Sequence, residues 1–192
     1  MLRALSIVLL LAAPSMAQDI PAWEVFGGYS FQRSDVRQYF RSTPIQYTFR
    51  GEYLNLNGWN LSVTENRNRW FGGTLDVRGY YKTTEFRGTA NREQVHSILY
   101  GPRFSRRMPW AAPFGHILFG AAQMKVNVTP VGQPRASDTS FAVAAGIGVD
   151  VKVLKKAAAR VQAEYFRADL LAARPDSFRT SVGMVFYLGK RE

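Results

Sequence analysis

The sequence has no cysteine among its 192 residues. Disulfide bonds and cysteine-based metal sites are therefore excluded, and small disulfide-rich secreted folds become improbable. The chain must be stabilised by burial and by backbone hydrogen bonds.

Outside its N-terminus the sequence also lacks an apolar run long enough for a transmembrane helix. The N-terminal stretch MLRALSIVLLLAAPSMAQ combines one early charge, Arg3, with an apolar segment and small residues at Ser15 and Ala17. This layout is typical of a cleavable secretory signal. We expect residues 1–17 to be a signal peptide and residues 18–192 to form one domain, which could enter a membrane only as strands.

Acidic residues are scarce: 14 Asp and Glu face 25 Lys and Arg, which gives a formal net charge of +11. In a cytosolic protein this balance would favour nucleic acid as the partner. Export argues against that partner, and the basic residues are scattered along the whole chain. We therefore expect no nucleic-acid binding, and we interpret the basic residues as loop or interior groups.

Helical periodicity is nearly absent, and alternation with period two dominates. In FAVAAGIGVDVKV, bulky residues such as Phe141 and Ile147 alternate with small or charged ones such as Gly146 and Asp150. Such alternation predicts strands with unlike faces. One segment, VLKKAAARVQAEY, has a composition that also suits a helix. The predicted strands cover about 23–33, 56–65, 70–82, 95–105, 114–128, 141–153, 158–169 and 178–189.

The connections between these strands alternate in length. The long ones cover 34–55, 82–94, 129–140 and 171–177, and the short ones cover 66–69, 106–113 and 154–156. Short turns at one end and long loops at the other are typical of bacterial outer-membrane barrels, whose strands of about ten residues, tilted near 45°, cross an apolar band of about 25 Å. We predict an all-β fold, an eight-stranded antiparallel up-and-down transmembrane β-barrel preceded by a cleavable signal peptide.

In such a barrel the bulky apolar residues face lipid and the alternate residues face the interior. An eight-stranded barrel has room inside only for side chains. The charges assigned to the interior have both signs, so we expect a paired network, with an ion path as the alternative. The predicted network is Asp76, Arg78, Arg103, Lys125, Asp150, Lys152, Arg160 and Glu164.

Aromatic residues near strand ends support a membrane location, where they would lie at the two interfaces. The alternative is core packing in a soluble barrel. The predicted interface residues are Trp23, Trp59, Trp70, Tyr81, Trp110 and Phe178. Basic loop residues would face lipopolysaccharide phosphates or would simply be solvated. These residues are Arg33, Arg37, Arg41, Arg50, Arg87, Arg92 and Arg135.

Catalysis would require a histidine with a Ser or carboxylate partner within hydrogen-bond distance. His96 and Ser97 are adjacent on a predicted strand and point to opposite faces. His116 falls near a strand start without an obvious partner, so we interpret it as a rim residue. The sequence predicts no catalytic, cofactor or metal site.

Four stretches carry a family resemblance: WEVFGGYSF, LNGWNLSVTENRNRWFGGTLDVRGYY, ILYGPRFS and VGMVFYLG. In order and spacing they resemble the bacterial outer-membrane β-barrel proteins related to the OmpA transmembrane domain, over Trp23 to Gly189. The resemblance implies short turns in the periplasm, long loops outside the cell and insertion by the barrel assembly machinery. The chain ends in Lys190-Arg191-Glu192 and not in the aromatic residue usual for such proteins. A peptidoglycan-binding domain is not expected.

Several functions fit this prediction. The favoured one is a non-enzymatic outer-membrane barrel, structural or surface-interacting, in contact with outer-membrane lipid and lipopolysaccharide. The alternatives are a small-solute or ion pore, a soluble ligand binder of lipocalin type and a lipid-modifying outer-membrane enzyme. A charged interior argues against the lipocalin type, because that class needs an apolar one.

Overall fold

The structure is a computed structural model that describes residues 20–35, 53–86, 89–129, 136–168 and 176–191. All eight predicted strands are present. They are β1 (Trp23–Asp35), β2 (Tyr53–Asn66), β3 (Phe71–Phe86), β4 (Thr89–Ser105), β5 (Ala111–Thr129), β6 (Ala136–Leu154), β7 (Ala157–Ala168) and β8 (Asp176–Leu188). The predicted signal peptide lies outside the described residues.

The eight strands form one closed antiparallel barrel. Each strand pairs with its neighbours in sequence, and β1 pairs with β8, from Trp23 opposite Leu188 to Ser34 opposite Ser177. Closure pairs the backbone groups that an open edge would leave without partners in hydrocarbon. The predicted fold, an eight-stranded up-and-down barrel, is confirmed. Within the described ranges, no helix is long and apolar enough to cross a membrane.

The segment with mixed helix and strand character is part of the sheet. VLKKAAARVQAEY forms the end of β6, a turn at Lys155-Lys156 and most of β7. Val161 pairs with Val149 on β6 and with Val182 on β8. Backbone hydrogen bonds to two neighbouring strands outweigh the helix propensity of alanine, which is only a weak preference.

The prediction of a loop over residues 82–94 is wrong for most of that range. Strands β3 and β4 continue to Phe86 and from Thr89, with Lys82 opposite Glu93. Between Lys82 and Gln94 polar residues occupy both faces of the strands, so the alternation of apolar and polar residues disappears while the backbone pairing continues. The pattern therefore marks the membrane-spanning part of a strand and not its full length.

The two faces of the sheet differ as the alternation predicts. On β6, Phe141 and Ile147 are 66% and 72% exposed, whereas Ala142, Ala144 and Asp150 are at most 1% exposed. Large exposed apolar and aromatic side chains occur on every strand of the barrel. In water this surface would be an aggregation hazard, but in a bilayer it contacts acyl chains.

On strand β5 the side chains point the opposite way from the prediction. Lys125 is predicted to point inside, but it is exposed, and Leu118, Ala122 and Met124 point inward. The prediction assumed that apolar residues always face lipid. Part of the interior toward the loop end is itself apolar, however, because Leu118 and Met124 pack there with other buried apolar side chains such as Leu56.

Candidate functional site: the charged barrel interior

A network of buried ion pairs fills much of the interior, and two apolar clusters pack beside it. The loop-end cluster includes Leu56 and Leu118, and the smaller turn-end cluster is formed by Phe26, Ala158 and Val185. The network has two groups of charges. At the turn end the charges reach past the smaller cluster, because Glu24 precedes Phe26 on β1 and Arg107 lies in a turn.

The first group is centred on Arg78. Its Nε lies 2.7 Å from Asp76 Oδ1, and its Nη2 lies 2.7 Å from Glu164 Oε2. Asp76 and Arg78 are two residues apart on β3 and so share one face. His116 Nε2 lies 3.1 Å from Glu164 Oε2, and Arg179 Nη1 lies 3.8 Å from Glu164 Oε1. Because β3 and β7 lie on opposite walls, the Arg78–Glu164 pair crosses the interior.

The second group is centred on Asp150 and Glu24, nearer the turns. Arg160 makes a two-pronged contact with Asp150 through Nε at 2.6 Å and Nη2 at 2.8 Å. Arg103 contacts Asp150 Oδ2 and Glu24 Oε2, each at 2.9 Å. Arg160 and Arg107 also contact Glu24. Four strands and one turn are joined in this way.

Neutral side chains supply part of the hydrogen bonding of the network. Among the described residues, buried atoms such as Arg103 Nε, Glu164 Oε1 and Arg179 Nη2 have no hydrogen-bond partner. Asn60 Nδ2 donates to Asp76 Oδ2 at 2.8 Å, and Gln162 Nε2 donates to Asn60 Oδ1 at 3.0 Å. Arg179 Nε donates to Gln32 Oε1 at 2.8 Å. Such bonds matter because burying a charge is costly unless it is paired and hydrogen-bonded.

Two glycines on β6 make room for this network. A Cβ at Gly146 would lie 2.5 Å from Glu164 Cβ and 2.9 Å from His116 Nε2. A Cβ at Gly148 would lie 2.4 Å from Cζ of Phe114, the ring over which the Arg103 guanidinium stacks at 3.8 Å. The small residues of β6 are therefore required by the size of their neighbours.

The structure brings six of the eight predicted interior charges together. All six are at most 2% exposed, and they are Asp76, Arg78, Arg103, Asp150, Arg160 and Glu164. Lys125 points outward on β5. Lys152 is half-buried near the turn end, next to the like charge of Arg107.

Four members of the network were missed: Glu24, Arg107, His116 and Arg179. Glu24 and Arg179 are in phase with inward residues of their own strands, so the alternation contained the signal. Finding His116 required the correct phase of β5. Arg107 lies in a turn, where no periodicity exists to show which way a side chain points.

The two histidines differ in their surroundings. His116 is 5% exposed and paired with Glu164, so its interpretation as a rim residue without a partner was wrong. His96 is half-buried and stacks edge-on against Tyr81, with ring centroids 5.5 Å apart, whereas Ser97 points inward. Among the described residues no group of three or more potential ligands is placed to hold a metal ion.

The predicted interface aromatics all lie on the outer face and are 41% to 64% exposed. Trp23, Trp70 and Trp110 are at the turn end, and Phe178 is near the loop end of β8. Trp59, however, lies midway along β2, away from either strand end. Tyr81 lies within β3, five residues before its loop end at Phe86.

An outward apolar belt around a closed, charged interior defines a transmembrane β-barrel of the bacterial outer membrane. Residues 4–186 match the family described as outer membrane protein beta-barrel domain, and the chain belongs to that family. The protein is therefore an outer-membrane protein. None of the curated protein sequences matches the chain.

Solved structures show the same fold. One is Ail, the attachment invasion locus protein of Yersinia pestis, in complex with the heparin analogue sucrose octasulfate. Ail is 18% identical to this chain, the match covers 85% of this chain and 97% of Ail, and the TM-score is 0.58. Neisserial surface protein A is 11% identical, with 90% and 100% coverage and a TM-score of 0.64. The N-terminal barrel of Pseudomonas aeruginosa OprF is 13% identical, with 88% and 100% coverage and a TM-score of 0.50.

Proposed function

We propose that this protein is a non-enzymatic barrel, closed to ions, whose loop end contacts molecules at the cell surface. The proposal rests on two ion pairs that cross the interior. Arg78 on β3 reaches Glu164 on β7, and Arg103 on β4 reaches Glu24 on β1. An eight-stranded barrel has space only for side chains, so such contacts leave no path for hydrated ions.

Planar-bilayer recording on the refolded protein tests this closure. We expect no stable conductance steps for the unmodified barrel, because moving the Arg78–Glu164 pair aside would separate buried charges. A variant with Arg78→Ser and Glu164→Ser removes that pair and serves as the comparison, since any opening should appear there first. Steady channel openings in the unmodified protein would show that it is a pore.

The surroundings of the histidines support a non-enzymatic role. The ring of His116 is engaged with a carboxylate that also pairs with Arg78, deep in the interior. His96 points outward beside Tyr81, and Ser97 is on the other face of the sheet. Within the described part of the chain, neither histidine therefore stands with a nucleophile at an accessible surface.

Exposed cations near the loop end fit lipopolysaccharide phosphates. Arg33 on β1 and Arg92 on β4 are exposed, and so is Lys125 on the neighbouring strand β5, two residues from Asn127, the pairing partner of Arg92. The other basic loop residues predicted for this role lie outside the described residues. The binding of a polysulfated ligand by Ail supports an anion-binding role for the loop end of this barrel.

Lipopolysaccharide that co-purifies from outer membranes measures this contact. Replacing Arg33, Arg92 and Lys125 together by glutamine should lower the bound lipopolysaccharide several-fold, because charge-assisted bonds to phosphate are lost. A matched control replaces three cations at the turn end, Arg67, Lys155 and Lys156, and should retain it. Equal losses in the two triple variants would contradict the assignment.

A further inference from the structure

An apolar groove with a volume of about 760 Å³ runs along the outer face near the turn end. Trp70 and Phe104 form one wall, with stacked rings 5.9 Å apart. Ile147 and Val161 form the other wall, and Gly115 is among the small residues between them. This open apolar groove faces lipid and can contact an acyl chain.

Arg106 lies at the turn end of the groove and lines it. Its backbone N–H donates to the carbonyl of Pro113 at 2.9 Å, which fixes the turn next to the groove. The guanidinium is exposed and has no carboxylate partner among the residues that the structure describes. Trp70 indicates how deep this end of the groove lies in the membrane, because tryptophan side chains are enriched at the level of the lipid headgroups. Arg106 is thus at the height of the phosphates.

We propose that this groove binds one anionic phospholipid of the periplasmic leaflet, with an acyl chain against Gly115 and the phosphate on Arg106. The short turns of such barrels face the periplasm, where phospholipid forms the adjoining leaflet. Exposed Lys155 and Lys156 in the next turn add positive charge at this end. That charge favours an anionic headgroup over a zwitterionic one, whose ammonium group it repels.

Fluorescence quenching of Trp70 by brominated lipid tests the site. The reporter is a variant in which Trp23, Trp59 and Trp110 are replaced by phenylalanine. It is reconstituted with phosphatidylglycerol or phosphatidylethanolamine that carry the same brominated chains. We expect a roughly fivefold preference for phosphatidylglycerol. This is the factor in affinity that one basic residue contributes at a negatively charged membrane surface.

Two pairs of variants distinguish lipid binding in the groove from attraction of lipid by the overall charge of the turn end. Arg106→Gln should remove most of the preference, because of the two arginines only Arg106 lines the groove, whereas Arg67→Gln, in a turn that does not line it, should preserve the preference. Gly115→Leu should weaken quenching by both lipids, because its new side chain fills the groove. A Cβ there meets nothing closer than 3.7 Å, so the fold tolerates it, and Gly27→Leu on β1, with nothing within 4 Å, is the control.

Equal quenching by the two lipids in the unmodified reporter would overturn the proposal. So would equal losses in Arg106→Gln and Arg67→Gln, because they would show that only the overall charge of the turn end attracts lipid. Neither result depends on whether the interior conducts ions or on what the loops bind.

Discussion

Replacing Asp150 with alanine should destabilise the barrel by about 3–5 kcal/mol, the range for breaking a buried ion pair by removing one partner. Asp150 accepts hydrogen bonds from Arg160 and Arg103, and all three side chains are at most 3% exposed. Without it, two guanidinium groups share Glu24, which already contacts Arg107. Urea unfolding in lipid vesicles, followed by the shift in gel mobility of the folded barrel, measures the change.

Glu65→Ala is the control for that experiment. Glu65 lies 3.5 Å from Arg191 in a pair whose side chains are 48% and 29% exposed, and such pairs contribute about 0–1 kcal/mol. If the two alanine variants unfold at the same urea concentration, the interior network does not stabilise the fold as described.

Ile147→Arg should destabilise the barrel by roughly 2–4 kcal/mol, the range for a cation on the lipid face at mid-depth. Ile147 is 72% exposed and pairs with Ala163, which lies midway along β7. At that depth the guanidinium cannot reach water without deforming the lipid. The same unfolding assay measures the effect, and the yield of folded protein gives a second readout.

Phe141→Arg is the matched control on the same face of β6. Phe141 is one residue beyond Ala142, which pairs with the last residue of β7, so position 141 is close to the loops. The cost of a cation near the interface falls to about 0–1 kcal/mol. A cost at 141 as large as at 147 would show that the lipid depth assigned to β6 is wrong.

Period-two alternation predicted the strands, and together with the alternating lengths of the connections it predicted the barrel. It works because lipid on one side and a crowded interior on the other impose opposite demands on neighbouring residues. It failed on β5, where Leu118 and Met124 fill the interior, because an apolar residue suits lipid and an apolar interior equally well. The wrong prediction that Lys125 points inside followed from the same ambiguity.

The pairing within the interior could be predicted only in outline. Charges of both signs indicated a network, but the partners depend on how far each side chain reaches across the barrel. Asp150 and Arg160 are direct cross-strand neighbours, whereas Arg78 meets Glu164 on the opposite wall. Such contacts follow from the closure of the sheet, and no spacing in the sequence encodes them.

The most direct test of a closed interior uses the absence of cysteine in the chain. Ser181 is 3% exposed and lies 2.8 Å from Ser30 Oγ, so Ser181→Cys introduces a single interior thiol with little change in size. Its reaction with a water-soluble methanethiosulfonate should be on the order of a hundredfold slower in the folded barrel than in urea, because the reagent needs the structure to open. Ser137→Cys, exposed near the loop end of β6, should react rapidly in either state. Rapid labelling of Cys at position 181 in the folded protein would mean that water fills the interior, and the account of a closed barrel would be wrong.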